Sequence, residues 1–161
     1  MHQPAMEEMT RIMDAWPYGT ANVLDVGALD VNGNYRAMIT QRGWTYTGLD
    51  ICPGPNVDVV SENPYEYPFG DGTFDIVMSG CTLEHVKAIW FWMPELARLV
   101  RSGWMLAIIT HTNFPYHAHP VDCWRVMPDG MRYLFDDTGL LCDYDIRMYC
   151  ETDISGVAWR D

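Results

Sequence analysis

Two glycines and an acid stand at a spacing that can do chemistry. In Val23-Leu-Asp-Val-Gly-Ala-Leu-Asp-Val-Asn-Gly33 a short β-branched run enters a glycine-bearing turn, and Asp50 follows 17 residues after Gly33. Gly27 lacks a Cβ where the chain leaves a strand, so a ligand can approach the backbone there, while a carboxylate at Asp50 can grip both hydroxyls of a ribose. The same pattern also suits a plain strand-to-helix turn with a capping acid. A dinucleotide site is the natural competitor, but it needs G-x-G-x-x-G so that backbone amides cradle a pyrophosphate, and here Leu29 and Asn32 stand where glycines should be. Asp30 would repel that anion. A ligand with positive charge and no phosphate suits a turn holding Asp25 and Asp30.

A second concentration of chemistry is His111-Thr-Asn-Phe-Pro-Tyr-His-Ala-His-Pro-Val-Asp-Cys-Trp-Arg125. Histidine titrates near neutral pH, so His117 or His119, oriented by Asp122, is the candidate general base. Tyr116, Trp124 and Arg125 are candidate acceptor-binding groups, Arg125 for an acidic acceptor. These groups can equally pin a proline-rich loop through bonds to the backbone. His117, His119, Asp122 and Cys123 are all zinc-capable within a short span, but HxH pairs more often serve strands than proline-bearing loops, so no metal is expected. His85 lies after another strand and either lines the acceptor pocket or caps the next helix.

Alternating strands and helices must position these residues. Residues 22–26, 44–50, 57–60, 74–79 and 104–110 read as short buried strands. Helices are expected over residues 33–42, stopped by Gly43; over about 86–101, begun or kinked at Pro94 and ended by Ser102 and Gly103; and from Pro128 to near Gly139. An N-terminal helix carries Met6, Met9, Ile12 and Met13. Residues 141–149 and 154–159 form a hairpin. The expected architecture is a doubly wound, Rossmann-like α/β fold: a seven-stranded, mostly parallel sheet with an antiparallel strand at or near an edge, and helices on both faces. Ligands of such sheets bind beyond the strand carboxyl ends.

Composition narrows the field. The 161 residues suit one domain, and no repeat or linker divides them. No apolar run approaches the roughly 20 residues that a bilayer span needs, and the acid-bearing start lacks a leader's apolar core, so a cytoplasmic location is expected. Five cysteines without a CxxC pair read as reduced thiols. A net charge of -12 argues against duplex nucleic acid as a partner. Trp90, Phe91, Trp92 and Trp104 suit helix packing, with room for a homodimer surface, better than a base-stacking platform.

Over residues 20–140 the chain resembles the class I S-adenosylmethionine-dependent methyltransferases, in particular the methyltransferase-domain group whose fourth strand ends in Leu-Glu-His-Val. The motifs are LDVGALDVNG at 24–33, YTGLDI at 46–51, YPFGDGTFDIVMS at 67–79, LEHV at 83–86 and ELARLVRSGWMLAIIT at 95–110. The resemblance implies S-adenosyl-L-methionine as cofactor. It places Asp25, Gly27, Ala28, Leu29 and Gly33 along the methionine part, and Asp50 and Ile51 at the ribose. Gly80 and Cys81 would meet the amino group, and Asn63, counted back from Pro68-Phe69, the adenine amine. The sequence departs from the commonest first motif by having Leu29 in the region of a third glycine.

These readings give methyl transfer to an oxygen or nitrogen of a small-molecule or sugar-like acceptor. The alternative is a catalytically weak or inactive partner subunit that keeps the cofactor-binding fold. Methyl transfer asks little covalent chemistry of a protein, because alignment of nucleophile, methyl and sulfur supplies most of the rate.

Overall fold

The computed structural model describes residues 2–17 and 19–161. Seven strands form one sheet in the order β3-β2-β1-β4-β5-β7-β6: β1 (Asn22–Val26), β2 (Thr45–Asp50), β3 (Val59–Val60), β4 (Phe74–Gly80), β5 (Val100–His111), β6 (Leu141–Met148) and β7 (Asp153–Arg160). The first five run parallel, with Leu24 opposite Thr47 on one side and Val77 on the other. β7 runs antiparallel to both β5 and β6, so it is the reversed strand, one place in from the edge, as the hairpin pattern predicts.

Period-2 alternation divides the apolar side chains between two faces. Leu24, Val26, Val77, Leu106 and Ile108 meet α3 (Ile89–Leu99) and α4 (Pro128–Asp136). Val23, Ile76, Met78, Ala107 and Ile109 meet α1 (Gln3–Asp14) and α2 (Arg36–Thr40). Helices therefore cover both faces. In α3 the buried Ile89, Trp92, Met93, Leu96 and Leu99 form the apolar stripe; a fully buried side chain of this kind contributes about 1.5–3 kcal/mol. The helix runs through Pro94, which cannot donate to the carbonyl of Trp90, a residue on the exposed side.

α1 is tied down by polar contacts as well. Glu8, nearly fully buried, accepts from Arg11 at 2.8 and 2.9 Å, from the Ser155 hydroxyl of β7 at 2.6 Å and from Arg147 of β6 at 3.3 Å. Burial opposes its charge, but these donors outweigh it and hold the carboxyl below its ordinary value.

Element boundaries differ from expectation in three places. α2 starts only at Arg36, because Asp30 first closes a turn by accepting from Gly33 N–H at 2.8 Å and the Asn34 amide at 2.5 Å. Ser102-Gly103 does not separate helix from strand; β5 begins at Val100 directly after α3, and its register against β4 slips between Phe74 and Ile76. β3 is two residues long, since only Leu49 and Asp50 of β2 pair with it. Among the described residues no helix is long and apolar enough to cross a membrane.

Candidate functional site

β1, β2, β4 and β5 point their carboxyl ends into one cleft of about 1090 Å³. One end is built by the turn after β1. Gly27 and Ala28 donate their backbone N–H groups to the Leu49 carbonyl at 2.9 and 3.0 Å, which folds the turn over the end of β2. Gly27 has a φ of +82°, and a Cβ there would lie 2.1 Å from Thr82 Oγ1, so both backbone and packing require glycine.

Asp50 ends β2 with both carboxylate oxygens held by backbone. Leu29 N–H donates to Oδ2 at 3.0 Å and Cys52 N–H to Oδ1 at 3.1 Å. Each oxygen keeps a further lone pair for a ligand hydroxyl. Across the cleft, Tyr65 and Tyr67 line the wall with Trp92, whose indole N–H donates to the Tyr67 hydroxyl at 2.8 Å.

The other end is a knot of histidines around Glu84. A single 3-10 turn, Leu83–His85, follows β4 and buries Glu84 completely. Its Oε2 accepts from the Thr110 hydroxyl at 2.8 Å. His85 faces the cleft with Nδ1 2.6 Å from the Val121 carbonyl. His111, at the end of β5, sets Nδ1 2.5 Å from Asp153 Oδ1 and stacks on Phe114 at 4.3 Å. His2, ahead of α1, reaches the other oxygen of Asp153 at 2.7 Å. Burial alone would raise Asp153, but hydrogen bonds from His111, Cys150 and His2 prevail and hold its carboxyl well below the usual range. Cys81, between the two ends, has a φ of +55°, an uncommon conformation for a side-chain-bearing residue. Burial, with the charges of Glu84 and Asp153, pushes its thiol far up.

Of the residues singled out from the sequence, Gly27, Leu29, Gly33, Asp50, Ile51, Gly80, Cys81, His85, His117 and His119 line this cleft. The others lie outside its lining. Asp25 accepts from the Tyr46 hydroxyl at 2.6 Å inside the sheet-helix packing; burial pushes its carboxyl up to about 7, against the Tyr46 bond and with help from the charge of Asp50. Ala28 is buried, and its carbonyl accepts from the Asn56 amide at 2.7 Å. Asn63 turns its amide oxygen back to Tyr65 N–H at 3.0 Å, leaving Pro64 and Tyr65 to face the cleft.

The loop after β5 divides its labour differently from expectation. Asp122 accepts from His117 N–H at 2.8 Å and from the Arg125 guanidinium at 2.6 and 2.8 Å, which holds its carboxyl well below the usual range. Arg125 also reaches the Phe114 carbonyl at 3.0 Å, so this pair pins the loop, and Asp122 braces His117 rather than His119. Trp124 donates to the Val86 carbonyl at 2.7 Å and packs against the core. Tyr116 is 79% exposed.

Sequence reading gave Trp92 to helix packing and passed over Tyr65, Tyr67, Thr82, His2 and Phe114, all in the cleft wall. It also passed over the Glu84-His111-Asp153 chain, of which His111 reaches the cleft. The one available signal for Glu84 was its place in a motif beside His85.

Residues 24–108 match the methyltransferase domain. A protein described as an uncharacterized methyltransferase from Mycobacterium sp. (strain KMS) is 33% identical over 112 residues, which cover 63% of this chain and 43% of that protein; the chain thus spans under half the length of this relative. Among solved structures, the 1,6-didemethyltoxoflavin-N1-methyltransferase of Burkholderia thailandensis, with bound 1,6-didemethyltoxoflavin and S-adenosylhomocysteine, superposes with a TM-score of 0.75 at 19% identity, covering 97% of this chain and 78% of that one. A SAM dependent methyltransferase from Archaeoglobus fulgidus gives 0.75 at 18% identity, with 96% and 94% covered. The turn after β1, the acid ending β2 and the opening after β4 all lie within the matched segment, and the chain belongs to the methyltransferase-domain family.

Proposed function

We propose that the chain binds S-adenosyl-L-methionine in this cleft and transfers its methyl group to an oxygen or nitrogen of a small acceptor held at the histidine end. The observation that carries the reading is the Asp50 carboxylate, fixed by two backbone N–H groups beside a turn without a Cβ at Gly27. A ribose diol is the ligand group that such a carboxylate suits. Asp30 and Asp50 make this end unfavourable for a pyrophosphate and favourable for a cationic ligand.

When bound, S-adenosylmethionine supplies an electrophilic methyl group on a positively charged sulfur. The chain's part is alignment and proton removal. Gly27 and Gly80 give backbone access, Tyr65, Tyr67 and Ile51 wall the cleft, and His119 stands exposed at its acceptor end, 6.0 Å from the His85 ring. As the acceptor's bond to methyl forms and the sulfur-methyl bond breaks, the proton of an acceptor hydroxyl or amine passes to His119 and on to solvent.

Titration calorimetry with S-adenosylmethionine and S-adenosylhomocysteine tests the reading. Each charge-assisted hydrogen bond is worth about 1.5–3 kcal/mol. Asp50→Ala, which removes two, should weaken both ligands by about a hundredfold or more. Absence of binding by the intact chain, or undiminished binding by the variant, would reject it.

A further inference from the structure

Glu84 presents an unpartnered oxygen. It is completely buried, and its Oε1 accepts no hydrogen bond. His111 Nε2 lies 3.2 Å from that oxygen but is not aligned to donate to it, and His85 Nε2 lies 3.9 Å away. A buried carboxyl oxygen left this way is costly unless a donor or a cation sits against it.

The surrounding histidines share one arrangement. Nδ1 of His85 faces the Val121 carbonyl at 2.6 Å, Nδ1 of His117 the Pro115 carbonyl at 3.0 Å, and Nδ1 of His111 the ionised Asp153 at 2.5 Å. These oxygens can only accept, so each Nδ1 carries a proton, and Nε2 is the ring nitrogen left to meet a cation. Anchoring of the far ring nitrogen by a carbonyl or carboxylate is how proteins orient metal-binding histidines. Ligand atoms of Glu84, His85 and His117 already lie within 4.8 Å of one another.

We propose that Glu84, His85 and His117 bind a divalent transition-metal cation, Zn²⁺ by preference. Two imidazoles and a carboxylate are a borderline-soft N/O set at home with Zn²⁺, whose bonds of about 2.0–2.2 Å require the three side chains to draw together slightly. Cys81, Glu84 and His111 make a second group of the same reach on the buried side. The Glu84-His85-His117 set is preferred because both of its histidines are partly exposed where they line the cleft, whereas His111 of the other set is buried; this leaves a coordination position open to a ligand. If the cleft is the methyl-transfer site argued above, on which this last step rests, the cation faces the acceptor and selects one with a hydroxyl beside a second oxygen. Coordination would lower the hydroxyl's pKa before its proton leaves for His119.

The test uses the full chain, stripped with a chelator and titrated with CoCl₂ without any methyl donor, then with ZnCl₂. One Co²⁺ per chain, with visible d–d bands that Zn²⁺ abolishes and a rise in melting temperature, is expected. His85→Asn and His117→Asn should each weaken uptake at least tenfold, while Cys142→Ser, on β6, should not alter it. Both histidines are partly exposed, so their replacement leaves the core intact. No uptake by the intact chain, or uptake unchanged in both histidine variants, would overturn the site, as would loss through Cys81→Ser alone. Calorimetry of the stripped chain with S-adenosylhomocysteine separates the two proposals: binding without metal leaves the methyl-transfer reading standing whatever the cobalt result, and absence of binding removes that reading without touching the cation site.

Discussion

The backbone N–H of Leu29 donates to Oδ2 of Asp50 at 3.0 Å. The residue that stands in the region of a third glycine thus fixes the carboxylate that ends β2. Its side chain is not needed for this, so the hold on Asp50 does not require a third glycine in the turn.

The glycine that does matter is Gly27. A Cβ there would meet Thr82 Oγ1 at 2.1 Å, and a φ of +82° costs a side-chain-bearing residue about 1–2 kcal/mol by itself. Gly27→Ala should lower the melting temperature and weaken S-adenosylhomocysteine at least tenfold by calorimetry. Wild-type affinity in this variant would refute close approach of the ligand to the turn.

Asp25 gives stability a definite pH dependence. Unfolded, its carboxyl ionises near 3.9; folded, burial carries it up to about 7. Between these values the native state holds one more proton than the unfolded one, so this group's contribution falls as pH rises from about 4 to about 7 and is level above that. Asp25→Asn should therefore gain on the wild type by about 1.4 kcal/mol per pH unit within that window and no further beyond it. Denaturant melts at several pH values check this, and a difference independent of pH would contradict it.

Arg125 is expected to act on the acceptor side alone. Removing it in Arg125→Ala frees Asp122 and the Phe114 carbonyl, so residues 111–125 should be cut faster by protease. S-adenosylhomocysteine affinity should stay within about twofold while KM for the acceptor rises at least tenfold. Equal losses at both ends of the cleft would show that the loop shapes the whole site.

Leu96 reports on the packing beneath the cleft. It is completely buried on α3 against the sheet, and Leu96→Ala should cost about 2–5 kcal/mol. A lower denaturation midpoint with an unchanged slope is the expected result.

Most of the framework could be read because its signals are local. The strands β1, β2, β4 and β5 are short apolar runs bounded by glycine, proline or polar residues, and Asp50 is found by counting from the turn. For Asn63, counting gives position but not direction: it lies outside the cleft's lining, and its amide oxygen is drawn to a backbone N–H two residues on. For Asp122 and Arg125 the sequence left both a site role and a loop-pinning role open, because it does not show that the two satisfy each other. The Glu84-His111-Asp153 chain joins residues 27 and 42 positions apart through neighbouring strands, so only the sheet order brings them together. No periodicity could announce it.

The two outer strands carry a consequence for solubility. β3 offers only two residues, and β6 alternates inward side chains with exposed Asp143, Asp145 and Arg147 and bulges between Cys142 and Asp145. Short, charged and bulged margins are poor templates for another strand. The chain is therefore guarded at both margins of its sheet against growing into fibres edge to edge.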